Sequence, residues 1–114
     1  MPLIEICALT PSREVDVAGV LRTLNRAVSD ALGCRPEAVW TTWRSLDGRY
    51  AVGSELATQQ PEETHAPIVH LYVNRPREAV ERICDVIEDV LCSELALAKG
   101  NVFVTVQPVF NAPQ

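Results

Sequence analysis

The residue with the most distinctive chemical potential stands second in the chain. Proline is tolerated at the first residue of a β-strand, where no ladder donor is missed. Pro2 offers more than that. Removal of Met1 leaves a secondary amine, fixed at the end of a strand, that can take and give a proton. Burial beside cationic groups disfavours its charged form and draws its pKa toward neutrality, where a general base works best. Arg75 and Arg77 supply a second kind of chemistry. They flank Pro76 just beyond a predicted strand, in a loop leading into a predicted helix, a position that favours anions. Nine of the ten basic residues are Arg, and only Lys99 is Lys. Arginine presents a planar fork that matches a carboxylate and that lysine lacks. The plainer reading of Arg75 and Arg77 is two solvated side chains pairing with Glu78 or Glu81. A third cluster runs from Val39 to Arg44, where strand alternation puts Trp40, Thr42 and Arg44 on one face and Thr41 and Trp43 on the other.

The elements that must position these residues follow from periodicity. Residues 2–8 are β-rich, and Thr10-Pro11-Ser12 stops the strand and can cap a helix. From about 14 to 32, Val15, Ala18, Leu21, Leu24, Val28 and Leu32 recur at threes and fours, an amphipathic helix ended by Gly33. Val39–Arg44 reads as a strand, Asp47-Gly48 as a turn and Tyr50-Ala51-Val52 as a hairpin arm. Residues 57–66 are polar, carry no period and read as a linker. Pro67–Val73 then reads as a strand. Val80, Ile83, Ile87, Val90, Leu91 and Leu95 mark a second helix, and 102–106 a fourth strand.

The pattern occurs twice. Sliding the chain by 65 positions aligns the halves without a gap, bringing Pro2 onto Pro67, Pro11 onto Pro76, Val15 onto Val80 and Val39 onto Val104. The prolines are the informative matches, because apolar coincidences are common between any two βαβ units. The expectation is an α/β (or α+β) chain, 1–114, forming one domain from two βαβ repeats, about 2–56 and 67–109. Each crossover makes its two strands parallel. Two such units combine into a four-stranded sheet with both helices on one face. The order βαββαβ also suits a ferredoxin-like ligand-binding module, whose sheet is antiparallel and whose N-terminus has no special chemistry.

Composition sets the limits. The net charge is −5, from ten basic and fifteen acidic residues, which argues against a nucleic-acid backbone or an anionic membrane as the main partner. No apolar run approaches the roughly 20 residues of a membrane span. The start of the chain has no basic region followed by an apolar one, so a cytoplasmic protein is expected. Cys7, Cys34, Cys84 and Cys92 are widely spaced, with no C-x-x-C pair and no His at a zinc-ligand interval. They read as small buried apolar residues, and no metal or cofactor is expected. His65 falls in the polar linker. His70 alternates with Val69 and Leu71 on a strand and reads as a satisfied or surface histidine.

Met-Pro-Leu-Ile-Glu-Ile, the doubled βαβ pattern and the length together resemble the tautomerase superfamily. That group includes 4-oxalocrotonate tautomerase, malonate semialdehyde decarboxylase and the chloroacrylic acid dehalogenases, and shares its fold with macrophage migration inhibitory factor. Gly48-Arg-Tyr-Ala-Val-Gly-Ser-Glu-Leu-Ala is similar to the segment closing the short tautomerases, which carries an active-site aromatic where Tyr50 stands. Asn74-Arg75-Pro76-Arg77 resembles the Ser-Arg-Pro-Arg of the malonate semialdehyde decarboxylase group, whose two arginines bind the substrate carboxylate. The resemblance implies a cofactor-independent isomerase acting on a small 2-oxo or enol carboxylate. Pro2 is then the acid–base, Arg75 and Arg77 the carboxylate anchors, and Arg44, Tyr50 and Trp40 further pocket residues. It also implies a homotrimer.

The chain departs from the pattern in places. Trp40 stands where short tautomerases place a substrate-binding arginine, with Arg44 two residues on along the same face. Arg13 is one residue out of register with the other arginine position. The water-activating acid of the decarboxylase and dehalogenase branches would align with Ala38-Val39, leaving Glu37 as a neighbour, and the C-terminal extension is reduced to residues 110–114. Decarboxylation or hydration with a protonated Pro2 is therefore the alternative chemistry.

Overall fold

A computed structural model of the chain describes residues 2–11, 14–56 and 66–109. The elements are β1 (Leu3–Ala8), α1 (Val17–Leu32), a short 3-10 turn (Pro36–Ala38), β2 (Trp40–Ser45), β3 (Ala51–Val52), β4 (Glu55–Leu56), β5 (Ile68–Val73), α2 (Arg77–Leu95) and β6 (Phe103–Pro108). The main sheet has the order β2-β1-β5-β6. Each βαβ unit gives one parallel pair, β1 with β2 and β5 with β6, and the two units meet through an antiparallel β1–β5 pair. This order corrects the ferredoxin-like alternative, whose sheet would be antiparallel throughout. The short arms β3 and β4 form the separate hairpin anticipated around Tyr50.

Alternation on the central strands decides which face is covered. Ile4, Ile6 and Ala8 of β1 and Val69, Leu71 and Val73 of β5 are buried in the same core as Val20, Leu24 and Val28 of α1 and Ile83, Ile87 and Leu91 of α2. Both helices therefore lie on one face of the sheet. The buried stripe of α1 runs at intervals of four, while Ala18 is exposed and Val15 and Leu21 are partly buried. Trp43 packs against this core, and the Thr41 hydroxyl hydrogen-bonds the Asn25 side chain of α1.

The gapless match between the halves is corrected in the same way. On the first strands the shift of 65 holds, since Leu3 pairs with Trp40 and Ile68 with Phe103. From the helices onward it is 63. Val20, Leu24 and Val28 correspond to Ile83, Ile87 and Leu91, and the C-caps Gly33 and Ala96 both lie in the left-handed region, at φ 65° and 54°. Val39 thus corresponds to Val102, and Trp40 to Phe103. The cause is the first connection, where helix α1 is capped at Asp16 rather than near Ser12. The Asp16 carbonyl accepts the Val20 N–H at 3.0 Å. Eight residues (9–16) join β1 to α1, whereas three (74–76) join β5 to the longer α2.

Candidate active site

The antiparallel β1–β5 pairing brings the start of β1 beside the end of β5. Leu3 pairs with Tyr72 on one side and Trp40 on the other. One step outward, Pro2 is level with Val73, and residues 74–77 begin immediately beyond. Pro2 is buried, and its carbonyl accepts the Trp40 N–H at 3.1 Å. Trp40 itself is 55% exposed, with its indole N–H donating to the Glu37 carbonyl at 3.1 Å. An exposed aromatic side chain is thus held one backbone hydrogen bond away from the buried proline.

Positive charge gathers at the same end. Arg77 is the first residue of α2, where the leading N–H groups lack partners within the helix and favour an anion. Its Nε–H donates to Glu81 Oε1 at 3.1 Å, one turn along and exposed, as the plainer reading anticipated. An exposed pair of this kind is worth about 0.2–1 kcal/mol and yields readily to a better anion. Arg75 is exposed and has no ion-pair partner among the described residues. Pro2, Trp40, Arg75 and Arg77 are therefore brought to one end of the sheet. Tyr72, half-buried beside Leu3 on the face away from the helices, joins them there. The alternation of residues 68–73 marked its face, but only the pairing shows which end it occupies.

Arg44 and Tyr50 are not part of this group within one chain. Arg44 pairs with Cys7, four residues along β1 from Leu3, or roughly 13 Å at strand spacing. Tyr50 follows a turn anchored beyond Ala8, whose carbonyl accepts the Leu46 N–H at 2.8 Å. The Asp47 carboxylate closes that turn by accepting from the Thr10 hydroxyl at 2.8 Å and the Thr10 N–H at 3.2 Å. Those bonds, the hydroxyl's first, hold its carboxyl below the usual aspartate value. Because the folded value is depressed, this stabilisation is fully present above the unfolded pKa and lost as pH falls through the folded one. Thermal unfolding should therefore show an Asp47→Ala deficit at neutral pH that shrinks in acid.

Glu37 lies in the 3-10 turn, exposed and ion-paired to Arg35 at 3.6 Å. His65, Arg13 and residues 110–114 fall outside the described residues, as does most of the 57–66 linker. The four cysteines are free thiols, Cys7 buried and the others half-buried. Burial foremost, and then neighbouring carboxylates, push up the thiols of Cys7, Cys84 and Cys92.

The shape of the chain is shared with solved structures. A fused 4-OT that forms an asymmetric trimer superposes with a TM-score of 0.76 at 18% identity, over 94% of this chain and 85% of that one. Malonate semialdehyde decarboxylase superposes at 0.64 and 16% identity, over 94% and 84%. A macrophage migration inhibitory factor-like protein from Entamoeba histolytica gives 0.69 at 11% identity, over 95% and 88%. The chain has the tautomerase fold. No protein-family model matches the sequence, and no curated protein matches it. At these identities the likeness is one of fold, with the tautomerase topology spanning nearly the whole chain. Among the described residues, no helix is long and apolar enough to cross a membrane.

Proposed function

We propose that this chain is a tautomerase-superfamily isomerase of small 2-oxo or enol carboxylates. The observation that carries the reading is the meeting of Pro2 with the arginine-bearing start of α2 at one end of the sheet. With Met1 removed, the Pro2 nitrogen takes a proton from a carbon or enol oxygen of the substrate and returns it elsewhere. Arg75 and Arg77, helped by the N-terminus of α2, hold the carboxylate and stabilise negative charge as the dienolate or enolate develops. Trp40 supplies a flat wall against which a conjugated substrate lies. Proton transfer by this route calls for no metal or cofactor.

Arg44 and Tyr50 enter such a site only from another copy of the chain, because within one chain they stand at the opposite end from Pro2. We take the assembly to be a homotrimer, as in the fused 4-OT structures. The exposed Trp40, Val52, Leu56, Phe103 and Val106 give the copies apolar surface to bury.

The decarboxylase or hydratase alternative is favoured by one feature, the position of Glu37 three residues before Trp40, its carbonyl accepting the Trp40 indole N–H, at the Pro2 end. The two chemistries separate by pH. A general base must be neutral, so tautomerisation of phenylpyruvate should fall as pH is lowered through the amine's titration. A protonated Pro2 polarising a carbonyl would instead lose activity as pH rises. Absence of enol–keto activity at every pH in protein that begins at Pro2 would defeat the isomerase reading.

A further inference from the structure

We propose that the face of the sheet away from the helices binds a zinc-type divalent ion through Glu5, Cys7 and His70, apart from the Pro2 end. Glu5 and Cys7 alternate on β1 and so point to the same face, opposite to the buried Ile4 and Ile6. His70 is the direct cross-strand partner of Glu5 in the antiparallel pair. The three bring a carboxylate oxygen, a sulfur and an imidazole nitrogen to within 4.8 Å of one another. Tetrahedral zinc with bonds of about 2.0–2.3 Å holds its ligand atoms about 3.3–3.8 Å apart, so side-chain rotation of about 1 Å closes the site.

The surroundings suit a ligand histidine. His70 Nδ1 lies 2.9 Å from Thr105 Oγ1, and that oxygen lies 3.4 Å from the Val69 carbonyl. The Thr105 hydroxyl can donate to that carbonyl while accepting Nδ1–H, which fixes the ring and leaves the Nε2 lone pair for a metal. An outer hydrogen bond that sets the tautomer in this way is the usual companion of a metal-bound histidine. A thiolate and a carboxylate balance the two positive charges of the ion. Three protein ligands leave a fourth position for water or a small anion. Spacing along the chain conceals this set, since 63 residues separate Cys7 from His70 and only the β1–β5 register joins them.

Cobalt(II) is the probe. Titration of the full, reduced, chelator-treated chain should give one equivalent bound, with tetrahedral d–d bands and a thiolate-to-cobalt charge-transfer band that zinc displaces. Cys7→Ala should remove the charge-transfer band, and Cys92→Ala should keep it. His70→Gln should weaken zinc binding at least about tenfold, and Thr105→Val about tenfold through loss of the outer hydrogen bond. The wild-type spectrum and His70→Gln decide the matter even where Cys7→Ala does not fold. No charge-transfer band at saturating cobalt, one that survives Cys7→Ala, or a zinc affinity unchanged in His70→Gln overturns the proposal. Because all three ligands lie in one chain and away from Pro2, loss of tautomerase activity leaves this result unaffected.

Discussion

Pro2→Ala is expected to lower kcat for enol–keto conversion of phenylpyruvate by about 10²–10⁴-fold, the range for a positioned general acid–base. KM should change little, because the carboxylate anchors remain. The variant loses a secondary amine held by its own ring but keeps the backbone, so the Trp40 N–H to Pro2 carbonyl bond can persist. The chain contains its own control. Pro67 occupies the corresponding position at the start of β5, is equally buried, and accepts the Phe103 N–H at 3.0 Å. Its nitrogen lies in an amide and has no basicity. Pro67→Ala should therefore disturb stability as Pro2→Ala does, while leaving kcat near that of the wild type. Equal kcat losses in the two variants would mean that the prolines serve structure alone.

Arg75→Ala carries the second large effect. A hydrogen bond to a charged group contributes about 1.5–3 kcal/mol. Its loss should lower kcat/KM by about 10–150-fold, at 1.36 kcal/mol per factor of ten. Arg77→Ala should be milder, since Arg77 already shares its Nε–H with Glu81 and must give up part of that contact to bind substrate. Arg75→Lys should recover only part of the loss, because a point charge does not reproduce the two-pronged fork. The substrate offers an independent check. A methyl ester of the same 2-oxo acid lacks the carboxylate charge, so its turnover should be nearly indifferent to Arg75→Ala. An ester as sensitive as the acid would assign Arg75 a structural role.

Much of the fold was legible in the chain, for reasons that also mark the limit. Alternation in Leu3-Ile-Glu-Ile and Ile68-Val-His-Leu-Tyr-Val gave the strands and their faces, because side chains on a strand repeat every two residues. The 3.6-residue period gave both helices, although the start of α1 was misplaced by a connection that carries no period. The proline pair Pro2–Pro67 was a true correspondence. Val15–Val80 and Val39–Val104 were coincidences of common residue types, exposed by the buried stripes of the helices and by the strand register.

The site was harder to read, because its parts meet through pairing between distant strands. Periodicity could place Trp40 and Arg44 on one face. It could not show that Trp40 lies at the Pro2 end and Arg44 about four residues away at the other. Glu5, Cys7 and His70 were likewise ordinary residues of separate strands until the register set them side by side.

The most direct measurement is the intact mass of the native protein, with its first residue identified by fragmentation. The proposed chemistry predicts a chain that begins at Pro2. Retention of Met1, or of any residue before Pro2, contradicts it, because an acylated proline nitrogen is an amide and cannot act as a base.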